Sequence, residues 1–246
     1  MKRIMRISIL LVTSLVLAVT SSAQKKKEVF SEENYGTLSG GTAITIQFEK
    51  GKDHNHPLFA IWLADETGNY IQTLYVSESI GKGVFKHATR LNGKWMEGEL
   101  LRPAALPYWA HHRNVLNEYG TYNPTKKHPV LDAYTGATPA ASFILHTRTG
   151  KRLYGKYKIL LELNQSWDWN EYWTNDKYPT DIDYTTSSQP AIVYSVDFDT
   201  NDLKPHYVMK PVGHSHYSGA DGNLNTDLST LTTALRIAKK ITVRIN

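Results

Sequence analysis

Apolar and polar residues alternate along Ala43-Ile44-Thr45-Ile46-Gln47-Phe48, the pattern of a strand with one buried face. Leu58 to Ala64 is a continuous apolar run, as in a strand covered on both sides. Asp65-Glu66-Thr67-Gly68-Asn69 carries turn residues, and Tyr70 to Val76 alternates again, so these two runs predict a β-hairpin. Strand patterns return at Phe143 to Thr147, Tyr157 to Leu163, Ile192 to Phe198, Tyr207 to Val212 and Ile241 to Ile245. The expected core contains Ile44, Ile46, Phe48, Ile61 and Leu63.

Between these runs, Arg90 to Tyr122 is irregular, with prolines, tryptophan and adjacent histidines; Trp109 to Leu116 predicts a short helix. Leu228, Leu231, Leu235 and Ala238 have helical spacing, with Asp227 or Ser229 as a cap, so a second short helix is expected before the last strand. Strand candidates separated by turn signals, without internal repeats, predict an all-β fold: an immunoglobulin-like β-sandwich with long irregular loops and a short helix near the C-terminus. The expected organisation is a signal peptide over 1–23, a polar linker over 24–40 and one sandwich domain over 41–246.

The N-terminus changes where such a domain would work. Lys2, Arg3 and Arg6 precede an apolar stretch from Ile9 to Val19, and Ser21-Ser22-Ala23 offers a small-residue cleavage site. The stretch is short for a membrane span, so export to the periplasm or the cell exterior is expected. There is no cysteine, which excludes disulfides, thiolate metal sites, covalent haem and a lipoprotein anchor. The net charge of +5 falls to near +2 once the three cations of the leader are removed. Lys25-Lys26-Lys27 is then a basic run read as a solvated tail, and no basic stripe remains elsewhere for nucleic acid.

The most distinctive chemistry lies in Asp132-Ala133-Tyr134-Thr135-Gly136-Ala137-Thr138. This Asp-x-x-Thr-Gly-Ala-Thr segment resembles the acceptor sequence of bacterial flavin transferases, in which the last threonine takes FMN through a phosphoester bond. The residue types suit that chemistry. Gly136 and Ala137 allow close approach of another backbone. Asp132 and Thr135 shape a turn that presents Thr138, and Pro139 stops a regular element from absorbing it. The alternative is an ordinary small-residue turn leading into the strand near Ser142.

Trp167, Trp169 and Trp173 form the densest aromatic segment, interleaved with Asp168, Asn170 and Glu171. Two readings stand: a surface on which an isoalloxazine or a sugar ring stacks, or a loop whose rings make their own small core. His214 and His216, with His206 nearby, are weak candidates for a metal site; histidines held by hydrogen bonds in a glycine-flanked loop are the alternative. His54, His56, His111 and His112 are expected to be exposed. No nucleophile elbow, zinc-protease helix or phosphate loop occurs, and no carboxylate pair stands out as catalytic.

Taken together, Phe59 to Asp65, Tyr70 to Leu74, the acceptor-like segment, Ser166 to Trp173 and Gly213 to Gly219 resemble a family of periplasmic proteins in the domain-of-unknown-function series. The resemblance covers most of residues 40–246. It implies an association with flavin transferases and PepSY-domain membrane proteins, and hence an extracytoplasmic flavoprotein, or its accessory, in an electron-transfer chain. Against this carrier stands a different class: a secreted module that binds a carbohydrate or an envelope protein through its tryptophan-rich loop.

Overall fold

The structure, a computed structural model, describes residues 28–34, 40–131, 134–136 and 139–246. In chain order, β1 (Ser31–Asn34), β2 (Ala43–Lys50), β3 (Leu58–Asp65) and β4 (Tyr70–Ser77) lead to a short helix α1 (Glu78–Lys82). A hairpin of β5 (Val84–Leu91) and β6 (Lys94–Glu99) follows, then α2 (Pro107–Arg113), β7 (Tyr134–Gly136), β8 (Phe143–Arg148) and β9 (Lys156–Asn164). The chain ends with α3 (Ile182–Ser187), β10 (Ile192–Asp199), β11 (Tyr207–Val208), β12 (Lys210–His214) and β13 (Ala238–Ile245).

Two sheets stack as a sandwich. The first has the order β1-β8-β2-β13-β11, the second β12-β10-β9-β3-β4-β7. Ile44, Ile46 and Phe48 point inward from β2 and meet Phe59, Ile61 and Leu63 of β3, all fully buried. Phe48, Phe59 and Phe143 stack across this layer at centroid distances of 5.1 to 6.0 Å. The expected core is therefore the observed one. The hairpin turn is held by Asp65, whose Oδ1 accepts from the backbone of Thr67 and Asn69 at 2.9 Å each. Hydrogen bonds from the Thr67 and Asn69 side chains then hold this carboxyl down at about 2.

The continuous apolar run in β3 has a second cause. Ala60, Trp62 and Ala64 point away from the first sheet and are also fully buried, beneath Leu106, Trp109 and Ala110 of α2 and its leader. The second sheet is thus covered on both faces, and the irregular middle of the chain forms a third layer. Glu162 sits in this outer layer on β9. Its Oε2 accepts from Trp109 N at 2.7 Å and its Oε1 from Tyr108 N at 3.1 Å. A strand carboxylate thereby satisfies orphan donors of the first turn of α2.

Four expectations change. Ser31–Asn34, within the span read as linker, is a strand pairing parallel with Phe143–His146. The run from Tyr207 splits at Met209, because the chain crosses from one sheet to the other: β11 pairs with β13, and β12 with β10. Val84 to Glu99, read largely as irregular, is a hairpin around Asn92 and Gly93. The helix expected over Leu228 to Ala238 is one 3-10 turn, Ala234–Arg236. Threonines explain the last difference, since Thr232 and Thr233 turn backbone and hydroxyl toward Gln189 and Asp168 and compete with helical bonding. Among the described residues no helix is long and apolar enough to cross a membrane.

Candidate functional site

The described part of the acceptor-like segment, Tyr134–Gly136, lies at the margin of the second sheet. Thr135 and Gly136 lie on β7, the edge strand, opposite Val76 and Ser77 of β4. Asp132, Ala137 and Thr138 lie outside the described residues. On one side of the segment Leu131 is 88 % exposed; on the other, Pro139 is buried and the chain enters β8 of the facing sheet. Among the described residues, one side of β7 carries no neighbouring strand.

The aromatic segment lies between β9 and β10 and is held by hydrogen bonds. Asn170 Oδ1 accepts from Tyr172 N at 2.9 Å and Trp173 N at 2.7 Å. Its Nδ2 donates to Gln189 Oε1 at 3.0 Å and to the Thr230 carbonyl at 2.9 Å. Asp181 caps α3 through Asp183 N and Tyr184 N. Inside this frame Tyr184 is fully buried, with Trp169 at 5.6 Å and Tyr178 at 5.0 Å edge-on to its ring. Trp173 is buried as well and donates from Nε1 to Thr230 Oγ1 at 3.2 Å. Trp169 and Trp173 are thus parts of a small core, and they pack toward Tyr217 and His214 at the β12 side of the sheet. The structure does not bring them to β7, which is the opposite edge.

Trp167 behaves differently. It is 62 % exposed and has a φ of +60°. A bulky side chain at positive φ is costly, and its backbone N–H is tied to the Ser187 carbonyl at 3.0 Å. The Arg102 guanidinium lies 5.9 Å from the Trp167 ring and 5.1 Å from the ring of Phe85. Burial pushes the Arg102 pKa down, and its Nε has no hydrogen-bond partner among the described residues. Phe85 begins the hairpin after α1, which itself follows β4, the neighbour of β7. Arg102 thus links Phe85, in the outer layer, to Trp167. Ser77 Oγ accepts from Phe59 N, and Phe59 lies opposite Leu163, so Gly136 and the end of β9 belong to the same end of the sheet. Three strand spacings, about 14 Å, separate them.

The histidines do not converge. His214 is buried, with Nδ1 donating to the Ser215 carbonyl at 2.8 Å; His216 accepts from Ser218 N; His206 is exposed. No group of three His, Asp or Glu side chains able to hold a metal occurs among the described residues. His111 and His112, expected exposed, are half-buried against Tyr122 and Tyr108.

Two features escaped the sequence reading. Arg102 carries no local signal. Glu162 does, as the single charge inside Ile159 to Leu163; burial raises its carboxyl to about 8, opposed by the bonds from Trp109 and Tyr108. A shallow depression of about 370 Å³ lined by Tyr157, Phe198 and Tyr207 lies at the other end of the sandwich and involves none of the expected residues. No protein-family model, curated protein or solved structure matches this chain.

Proposed function

We propose that the protein is an extracytoplasmic electron carrier with FMN joined to Thr138 by a phosphoester. The observation that carries this reading is that Tyr134–Gly136, inside the acceptor-like segment, forms a three-residue edge strand. A transferase needs to reach the threonine hydroxyl, and a sheet edge leaves it room to do so. The hydroxyl gives up its proton to a base of the transferase and attacks the FMN-side phosphorus of a flavin dinucleotide co-substrate; the pyrophosphate bond breaks and the nucleoside monophosphate leaves, with the metal also supplied by the transferase. The immunoglobulin-like kinship of the sandwich and its membership of the periplasmic family belong with this proposal; two sheets sharing one apolar core support the first.

The residues on the outer face suit a tethered flavin. Trp167 offers an uncovered flat ring. Arg102 sets a guanidinium cation beside it, suited to an electron-rich edge or a phosphate. When bound, the flavin supplies one- and two-electron redox chemistry. Trp167 and Arg102 hold the ring and shield it from water; Phe85 backs the guanidinium. A PepSY-domain membrane protein is the redox partner in this reading, and the envelope its compartment.

Intact-mass measurement of protein exported beside an active flavin transferase tests the proposal. One added FMN is expected, and none in Thr138→Ala. An unmodified natural protein under those conditions overturns the carrier. In flavinylated protein, Trp167→Leu is expected to raise flavin emission, whereas Trp169→Leu and Trp173→Leu leave it unchanged. A second reading, a carbohydrate- or envelope-binding module, is favoured by the exposure of Trp167 and Tyr172, 62 % and 51 %. A colourless protein that binds a glycan through these two rings would establish it.

A further inference from the structure

The hairpin β5–β6 leaves the body of the protein. Its base is anchored by Phe85, buried in the outer layer, and by Leu100 N, which donates to the Gly83 carbonyl at 3.1 Å. From Lys86 to Glu97 nearly every residue is exposed. The ribbon reaches roughly 20 Å beyond its base at about 3.3 Å per residue. Asn92 and Gly93 turn it, with φ of +49° and +78°, the signs that a two-residue hairpin loop of type I′ requires.

Its side chains are sorted by depth. The tip carries Leu91, Trp95 and Met96, exposed by 62, 53 and 48 %. Arg90 and Lys94 stand among them and Lys86 lies behind; no acid occurs from Val84 to Met96. Glu97 and Glu99 follow, toward the base. The apolar residues also occupy both faces. Arg90 pairs with Trp95 and Leu91 with Lys94, so Trp95 projects from one face and Leu91 and Met96 from the other. A groove in a partner protein would cover one face of such a ribbon. A medium that surrounds the tip covers both.

We propose that this ribbon docks the protein on an anionic lipid surface, with Leu91, Trp95 and Met96 entering the headgroup layer and Arg90 and Lys94 at the phosphates. Tryptophan favours the membrane interface, with its apolar body inward and its N–H toward water. Cations near an anionic surface each strengthen attachment roughly fivefold. The three apolar side chains offer far less than the area of about 800 Å² per partner that a specific protein complex needs. The docking is independent of flavin attachment and stands whether or not Thr138 is modified.

Flotation of the full exported chain with vesicles tests it, using phosphatidylglycerol–phosphatidylcholine mixtures and phosphatidylcholine alone. Every variant comes from the same preparation, so any N-terminal contribution is common to all. The unsubstituted protein is expected to float with the anionic vesicles, less so in high salt. Arg90→Gln with Lys94→Gln is expected to lower partitioning about 25-fold, and Leu91→Ser with Trp95→Ser at least tenfold, with unchanged thermal midpoints. Equal partitioning of all variants overturns the proposal, as does failure of the unsubstituted protein to float. Sedimentation as a dimer that Trp95→Ser converts to monomer, without vesicle binding, assigns the tip to a second copy and overturns it too.

Discussion

The loop from Gln165 to Ser188 and the β5–β6 ribbon are both aromatic excursions from the same sheet, yet they treat their rings in opposite ways. The loop turns Trp169, Trp173 and Tyr184 inward and ties its backbone with Asn170, Asp181 and Gln189. The ribbon has its own ladder and one edge-on contact between His87 and Trp95, and Trp95 stays outside. The contrast teaches that a cluster of tryptophans says little about binding. What decides is whether side-chain amides and carboxylates close the backbone around the rings. Within the loop, Trp167 is the exception: its backbone is tied to Ser187, yet its ring stays 62 % exposed.

The contrast breaks first, if it breaks, at Trp173. Trp173→Ala is expected to cost about 3–5 kcal/mol in urea unfolding, as for other buried aromatic truncations. Ile61→Ala, in the layer between the sheets, is expected to cost about 2–5 kcal/mol. An unchanged midpoint at Trp173 would make the loop an appendage rather than a core.

Asn170→Ala strips the frame and leaves the rings. It removes acceptors for Tyr172 N and Trp173 N and a donor for Gln189 and Thr230. A loss of about 1–3 kcal/mol is expected, with new protease cleavage between Gln165 and Ser188. Cleavage at the native rate would show that packing alone holds the loop.

Glu162 sharpens the comparison for the outer layer, on whose edge the ribbon is anchored. Its carboxyl is raised to about 8 from an ordinary 4.5. Between those values the folded protein keeps a proton that the unfolded chain has released. Stability is therefore greatest at the low end of this window and falls as pH rises toward about 8, by at most about 1.4 kcal/mol per pH unit. Glu162→Gln is expected to flatten the pH dependence over this window, as read by unfolding midpoints at successive pH values. A variant with the same slope as the natural protein would assign the titration to another group.

The smallest effect belongs to the ribbon tip. Trp95→Ser and Leu91→Ser are expected to change stability by no more than about 0.5 kcal/mol, since neither side chain is buried. A loss of several kcal/mol would mean that the tip packs against the protein.

Much of the fold was legible because strands announce themselves locally. The alternation at Ala43 to Phe48 and the turn at Asp65 to Asn69 predict β2 and the β3–β4 hairpin, and both are observed. Asn92-Gly93 carries the signal of the ribbon, but its apolar residues are split between both faces, so no half-buried alternation marks the two strands. The helix at Trp109 was legible; its role as a lid was not, because Glu162 lies 53 residues away on another element. At Leu228 to Ala238 helical spacing misled, since those residues reach the core from irregular turns.

The sequence by itself determined most strands of the sandwich, the inner core, the absence of cysteine chemistry and the acceptor-like segment with its order of residues. These rest on periodicity and residue type, which act over a few neighbours. Only the tertiary structure decided that the second sheet is buried on both faces, that Trp167 parts company with Trp169 and Trp173, and that Arg102 stands beside it. It also decided that the acceptor strand forms a sheet edge. Each of these depends on which distant segments share a layer. Burial and hydrogen bonding across the sheet fix that choice, and no local pattern encodes it.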